Sequence, residues 1–166
     1  SADIYLFAIS DTALYDVALH FDFGNKIVLH TAGSVSKMVL ENVSINYGVL
    51  YPLQSLRKEM SVIPKIPLLI DGNNRETLKT IETFANTLSP IVSVTTDEDR
   101  FNLHLAAVVV CNFTNHLYAL TEDFCKKESV DFKVLHPIIA ETALRIERRS
   151  ASELQTGPAM RNDFVT

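Results

Sequence analysis

The chain opens on an apolar run, Ile4–Ile9, that has the length of a β-strand and no alternation of polar and apolar residues. This pattern is typical of a parallel strand that is covered on both faces. Four further runs of strand length follow at residues 26–30, 45–51, 67–70 and 91–94. Helical patterns or turn residues separate these runs, so we predict an α/β fold whose residues 1–96 form a partial doubly wound parallel sheet.

Helix signals lie between the predicted strands. Ser10-Asp11 offers an N-cap before a short helical pattern, and Asn74 offers another. The helix after Asn74 has a stripe of apolar residues at helical spacing, formed by Leu78, Ile81, Ala85 and Leu88.

The pattern changes after Thr96. No Pro or Gly occurs between Asp97 and Lys127, and the acidic start of this segment suits the N-terminus of a helix. We predict one long helix that is apolar on most sides and largely buried, followed by a second helix from Pro137 to about Arg149. Residues 97–166 therefore form an all-helical domain in this interpretation.

Composition narrows the function classes. Hydrophobic residues make up 47% of the chain, and 15 Lys and Arg stand against 20 Asp and Glu, which gives a net charge of -5. A generic nucleic-acid-binding protein would carry the opposite charge, so no nucleic-acid partner is expected. The longest unbroken apolar run, Leu105–Cys111, is too short to span a bilayer, so no membrane partner is expected either. With no leader pattern and two cysteines in partly apolar helical patterns, a cytoplasmic location is predicted.

A glycine-rich phosphate-binding turn is missing from the chain. The motif Gly-x-Gly-x-x-Gly lets backbone amides approach a pyrophosphate, and no two of the five glycines lie close enough to form it. Either the sheet binds no nucleotide, or residues before Ser1 supply the first half of a dinucleotide-binding domain. Metal binding is not expected, because the His and Cys residues never occur in close pairs.

Five segments resemble a known family when they are taken in order along the chain: Ala2–Asp11, His30–Ser34, Tyr47–Ser55, Asn112–Tyr118 and Gln155–Arg161. The family comprises Rossmann-like proteins with a C-terminal domain of unknown function 2520, provisionally named NADP-linked oxidoreductases. They are similar in plan to pyrroline-carboxylate reductase, ketopantoate reductase and 6-phosphogluconate dehydrogenase-like proteins. Relative to this family the chain is short at both ends.

The resemblance implies a fold, a cofactor and a reaction class. Residues 1–96 would be the C-terminal half of a Rossmann-like domain, and residues 97–166 a helical domain like the C-terminal domain of 6-phosphogluconate dehydrogenase. The cofactor would be NADP or NAD, and the activity reduction of an imine or a 2-keto acid. A non-catalytic dinucleotide-binding or regulatory protein is the alternative.

The resemblance places the cofactor beside two loops that follow strands, where ligands lie in open α/β sheets. The predicted cofactor-binding residues are Ala8, Ser10, Thr31, Ala32 and Gly33. Gly33 would let the backbone approach a flat ring, and Thr31 or Ser34 would donate to a carboxamide. The alternative is that Ser10 and Ser34 are ordinary helix caps and Gly33 a turn.

Catalysis is assigned to the long helix. His104, Cys111, Asn115, Tyr118 and Glu122 share one helical stripe. Similar dehydrogenases carry a catalytic Lys and a substrate-orienting Asn on this helix, and Asn115 or Asn112 matches the Asn. No Lys occurs between Asp99 and Lys126, so His104 is the candidate replacement, with a purely structural role as the alternative.

Substrate contacts are predicted for Gln54, Asn112, Thr156 and Arg161. Gln54 follows a strand and offers both a donor and an acceptor, and Arg161 can make a bidentate contact with a carboxylate or a phosphate. The alternatives are a surface turn at Gln54 and an Arg161 that pairs with a nearby acid.

A homodimer through the helical domain is also predicted. One sheet edge and one further helix cannot cover every side of a helix that is apolar almost all round, whereas a second copy can. The alternative is that residues after Thr166 cover the same face in a monomer. The residues concerned are Phe101, Leu103, Leu105, Ala106, Val108, Val109, Val110, Phe113, Leu117 and Leu120.

Overall fold

Five strands form one sheet in the order in which they occur along the chain. The computed structural model describes residues 2–157. The strands are β1 (Ile4–Phe7), β2 (Ile27–His30), β3 (Asn46–Pro52), β4 (Leu68–Gly72) and β5 (Val92–Val94). The helices are α1 (Asp11–Ala18), α2 (Arg75–Leu88), α3 (Asp97–Ala107), α4 (Thr114–Lys127) and α5 (His136–Arg145). The predicted α/β class is confirmed.

The sheet is parallel over its first three strands only. β1, β2 and β3 run parallel, β4 runs antiparallel to β3, and β5 runs parallel to β4. The all-parallel arrangement was therefore wrong at β4. A parallel connection needs a crossover, which is usually a helix, whereas residues 53–67 form a loop whose ends meet where Leu53 N donates to the Pro67 carbonyl. The carboxyl ends of β1, β2 and β3 consequently share one edge of the sheet.

Both faces of the sheet are covered, as a doubly wound fold requires. On one face Leu14 of α1 packs with Val28, Leu40 and Val43, and on the other Ile81 of α2 packs into a second core. The partners of Ile81 are Leu29, Leu50, Leu68, Ile70 and Ala85. Both helices begin at the predicted caps, because Ser10 Oγ accepts from Ala13 N and Asn74 Oδ1 accepts from Thr77 N.

β1 is an edge strand, with β2 as its only neighbour among the described residues. Its residues are half-buried or exposed, and Leu6 is 45% exposed. The expectation of a strand covered on both faces was wrong here, because no residue of β1 is buried and, among the described residues, no strand flanks its outer side.

The long helix is continuous from Asp97 to Lys127, as predicted. Thr96 caps it in a reciprocal capping box with Asp99. Six residues, Val108–Phe113, widen into a π-helical segment between α3 and α4. The prediction that this helix is largely buried was wrong for the single chain, in which only Arg100 and Cys125 of the helix are buried.

The same helix is long and apolar enough to cross a membrane, judged by length and composition alone. Its most apolar window has a mean hydropathy of 1.3, and none of that window is buried. The core helix of a soluble protein can show the same composition. The absence of a membrane partner stays a prediction.

The chain divides into two compact units, residues 1–114 and residues 115–166. The first contains the sheet, its covering helices, α3 and the π-helical segment. The described part of the second contains most of α4, a short 3-10 helix (Phe132–Leu135) and α5. The sequence boundary between residues 96 and 97 stays a prediction.

Candidate active site

A hydrogen-bonded pair of side chains, Tyr51 and His104, lies where β3 ends. Tyr51 Oη lies 2.9 Å from His104 Nδ1, and the two rings meet edge to face with centroids 5.8 Å apart. Tyr51 comes from the penultimate position of β3 and His104 from α3, 53 residues later in the chain. Because either ring can donate in this hydrogen bond, the pair can hold a proton on the hydroxyl or on the imidazole.

Gly33 makes room for this pair. A Cβ added at Gly33 would lie 2.6 Å from His104 Nδ1 and 2.9 Å from Tyr51 Cζ, closer than real Cβ contacts allow. The flat rings that this glycine accommodates are thus those of Tyr51 and His104. The predicted contact of Gly33 with a cofactor stays a prediction.

The Tyr51 hydroxyl is held in its protonated form. Partial burial raises the pKa of Tyr51 above 10.0, and the nearby Asp11 carboxylate raises it further, while Arg100 opposes them. The neutral hydroxyl is the form that can donate a proton.

A buried arginine ties α3 to the loop after β2. Arg100 is 1% exposed, and its Nη2 donates to the Val35 carbonyl at 2.5 Å and to Asp97 Oδ1 at 2.7 Å. Asp97 also accepts from Ser36 Oγ and from Lys37 N. Burial alone raises the pKa of Asp97, but these hydrogen bonds outweigh it and hold the pKa below 3.8. We call these contacts the Arg100 clamp; His104 lies one helical turn after it.

A cleft of about 570 Å³ opens beside His104. Its polar lining consists of Tyr51, Gln54, Ser55, His104, Cys111 and Asn112. Its apolar lining consists of Leu53, Leu103, Ala106, Ala107, Val108 and Val110. We call this the His104 cleft; all of its lining belongs to the first unit.

Three predicted site residues meet in the His104 cleft: His104, Gln54 and Asn112. Gln54 Oε1 accepts from Ser55 N at 2.8 Å, so the side-chain NH₂ remains available to a ligand. Asn112 lies on the π-helical segment and is exposed, and so is Asn115. Both amides are therefore open to solvent in the single chain, although the helix that carries them was predicted to be largely buried.

The predicted cofactor loops lie at the edge where β1 and β2 end. Ala8 and Ser10 are exposed, and Ser10 acts as the α1 cap. Thr31 Oγ1 donates to the Phe7 carbonyl at 3.5 Å, and Ala32 N donates to His30 Nδ1. Ser34, offered with Thr31 as a carboxamide donor, donates instead to Asp11 Oδ2 at 2.5 Å.

The remaining predicted residues do not lie in the His104 cleft. Asn115 lines a separate cleft of about 370 Å³ in the second unit, with Tyr118, Glu122 and His136 among its neighbours. Thr156 is exposed, and Arg161 lies outside the described residues.

Comparison with known proteins places the chain. The family DUF2520, a domain of unknown function, matches residues 66–166, which is more than half of the chain. The chain belongs to the DUF2520 family.

Solved structures agree with this placement. A Bacteroides fragilis protein provisionally named an NADP oxidoreductase is 37% identical with a TM-score of 0.89, and the match covers 98% of this chain and 64% of that one. A Thermotoga maritima protein is 22% identical with a TM-score of 0.79, and the match covers 98% of this chain and 66% of that one. A pyrroline-5-carboxylate reductase from Streptococcus pyogenes is 10% identical with a TM-score of 0.65, and the match covers 99% of this chain and 63% of that one. A search of the curated proteins finds no match. The DUF2520 chain thus has the Rossmann-type fold of NADP oxidoreductases and spans about two-thirds of these relatives.

Tyr51 is the site residue that sequence reasoning missed. It stands at a strand end before Pro52, within the Tyr47–Ser55 segment of the family resemblance, and these were the available signals. Its partner His104 is remote in sequence, so no spacing rule relates them.

Among residues 2–157 of this DUF2520 chain, no group of three or more His, Cys, Asp or Glu side chains is placed to hold a metal ion.

Proposed function

We propose that the protein is an NADP-dependent oxidoreductase that reduces the C=N or C=O bond of a small molecule, of the imine or 2-keto acid type. The observation that carries the proposal is the Tyr51–His104 hydrogen bond of 2.9 Å at the mouth of the His104 cleft. A proton-donor pair beside a cleft, at the edge where parallel strands end, is what such a reduction needs. The likeness to the Bacteroides fragilis protein supports the cofactor class.

The described residues fit the nicotinamide end of NADP or NAD. The loop at Ala8 and Ser10 is exposed, and the backbone N–H of the exposed Ser34 donates to no other described group. Such an N–H group suits the carbonyl of a carboxamide. This chain offers no glycine-rich turn for the pyrophosphate.

The chain's own residues supply the proton of the reaction. NADPH, when bound, supplies a hydride, which carries two electrons to the carbon of the C=N or C=O bond. Tyr51 or His104 gives a proton to the nitrogen or oxygen of that bond, and the pair regains a proton from water. Because α3 carries no Lys, this pair takes the place of the Lys that similar dehydrogenases use.

Gln54 and Asn112 orient the substrate in this proposal. Both are neutral amides in the His104 cleft, and each can donate and accept. Roles for Asn115, Thr156 and Arg161, together with a cytoplasmic location, remain proposals that await their own tests.

Assays of NADPH oxidation on the protein at its natural length test this function. Tyr51→Phe removes the hydroxyl and His104→Gln removes the imidazole, so each variant should lower kcat by about 100-fold or more. NADPH affinity, measured by fluorescence titration, should stay unchanged.

Tyr15→Phe and His116→Gln are the matched controls, because both side chains are exposed and neither lines the His104 cleft. Full turnover in Tyr51→Phe would contradict the catalytic role of the pair. NADPH binding without turnover of any imine or keto acid would favour the non-catalytic dinucleotide-binding alternative.

A further inference from the structure

The His104 cleft is lined without a charged anchor. Among the described residues that line it, none is Asp, Glu, Lys or Arg. Arg57 lies two residues beyond Ser55 but faces a different cleft, with Glu59, Met60 and Val62. Arg100 is close in sequence to His104, yet it is buried and engaged with Val35 and Asp97.

The uncharged lining bears on the substrate. Moving a carboxylate from water into an apolar cleft is costly unless a cation or several hydrogen-bond donors receive it. Leu53, Leu103, Val108 and Val110 provide apolar surface instead. The polar lining consists of hydroxyl, amide, imidazole and thiol groups, and none of them carries a permanent positive charge. The transfer of a hydrocarbon group from water into such a cleft is favourable, whereas the transfer of a carboxylate is unfavourable.

We infer that the part of the substrate that enters the His104 cleft is uncharged and largely hydrocarbon, which makes the substrate an imine or a ketone rather than a 2-keto acid. This inference rests on the proposed function and narrows its substrates to C=N and C=O compounds that place no carboxylate in the cleft. The reaction balances as above: hydride to carbon from NADPH, and a proton to nitrogen or oxygen from the Tyr51–His104 pair.

Matched substrate pairs test the inference, because the two members differ only in a methyl group or a carboxylate. One pair is cyclohexyl methyl ketone and cyclohexylglyoxylate; the other is 2-methyl-1-pyrroline and 1-pyrroline-2-carboxylate. With the natural-length protein and NADPH, kcat/KM for the neutral member should exceed that for the carboxylate by about tenfold or more in each pair that is turned over. A preference for the carboxylate in the pair that is turned over would overturn the inference.

A charge placed in the cleft gives a second measurement. Val110→Lys puts a cation on the lining and should shift the kcat/KM ratio toward the carboxylate by about tenfold. Val109→Lys is the control, since the neighbouring Val109 is also exposed (49%, against 72% for Val110) and does not line the cleft. An equal shift in both variants, or none in Val110→Lys, would count against the cleft as the substrate site.

Arg161→Gln tests whether Arg161 binds the carboxylate of a charged substrate. If the carboxylate substrate is preferred and the preference disappears in Arg161→Gln, then Arg161 completes an anion site and the inference is wrong. If none of the four compounds is reduced, the proposed function fails as well. Reduction with the opposite preference leaves the proposed function standing and removes only the inference.

Discussion

His30 is a histidine that the fold keeps neutral. Its side chain is fully buried at the end of β2, and Nδ1 accepts a hydrogen bond from Ala32 N at 3.1 Å. Burial, followed by the positive charge of Arg100, lowers the pKa of His30 from 6.5 to about 4. The ring therefore holds the loop that carries Gly33 through an accepting nitrogen, which protonation would abolish.

The depressed pKa predicts a pH dependence of stability. Between pH 6.5 and 4 the unfolded chain binds a proton at His30 and the folded chain does not. The stability that the neutral His30 ring contributes to the folded state is therefore complete above pH 6.5 and is lost as the pH falls toward 4. The loss in the free energy of unfolding should be about 3 kcal/mol. In His30→Asn, whose amide oxygen can still accept from Ala32 N, this part of the pH dependence should disappear. Urea unfolding at several pH values measures it.

His20→Asn is the control for this measurement. His20 is exposed, and its Nδ1 lies 2.7 Å from the Asp16 carbonyl. An unchanged pH dependence in His30→Asn would show that the burial of His30 does not govern acid sensitivity.

Single residues differ in how far the sequence predicts them. The Ser10 and Asn74 caps follow from local chemistry, because a cap bonds within three residues of itself. Gly33 and Tyr51 depend on His104, which a remote part of the chain supplies. Local patterns carry no information on such contacts, which explains why Tyr51 was missed.

Among the elements, α3 depends on its clamp. Arg100 closes the start of α3 onto residues 35–37, and His104 projects from the next turn toward Tyr51. The clamp thus positions a proposed proton donor through a helix that has few other buried side chains.

Removal of the clamp should cost stability and activity together. Arg100→Met keeps the length of the side chain and deletes its charge and its hydrogen bonds, leaving Asp97 partly unpaired. The free energy of unfolding should fall by about 3 kcal/mol, as for other broken buried ion pairs. kcat should fall with it, because His104 loses its fixed position. Urea unfolding and NADPH oxidation measure the two effects.

Lys126→Met removes an exposed ion pair of α4, formed with Glu122 and Asp123, and should leave the urea midpoint unchanged. A stable Arg100→Met protein with normal kcat would contradict the positioning role of the clamp.

The positions of the strands and helices were predicted better than the direction of β4 or the burial of the long helix. Apolar runs located all five strands, and the lack of Pro and Gly located the helix from Asp97 to Lys127. The direction of β4 depends on how a loop returns to the sheet, and the π-helical segment has no periodicity of its own. Burial of the long helix depends on what surrounds it, which periodicity does not report.

On the scale of the whole molecule, the apolar surface of the long helix requires a cover. Phe113, Leu117 and Phe124 are each at least 60% exposed, and none of them lines the His104 cleft. We propose that a second copy of the chain covers this helix, as the sequence predicted. An isologous pair of helices places the same apolar surface on both sides of the contact.

Light scattering at micromolar concentration tests the dimer. The mass should be twice that of the monomer, and Leu117→Asp should halve it, because a carboxylate cannot be buried in an apolar interface. Leu19→Asp is the control, since Leu19 is 82% exposed at the C-cap of α1, away from the long helix in sequence. A monomer that floats with lipid vesicles would instead assign the apolar helix to a membrane.

The fold class and the family could be predicted at this scale from the order of elements and from five motifs. The candidate site could be predicted in part: His104, Gln54 and Asn112 do share a cleft. Asn115 does not line it, because the π-helical segment interrupts the regular spacing on which the shared stripe depended.

The edge position of β1 has a practical consequence for anyone who handles this chain. Within residues 2–157, the backbone N–H and C=O groups on the outer side of Ile4–Phe7 have no strand beside them. An unprotected edge of this kind is a template for aggregation, because any extended segment can add to it through the main chain. Preparations of these residues alone should therefore turn turbid as they are concentrated, by backbone pairing that no change on the long helix would prevent.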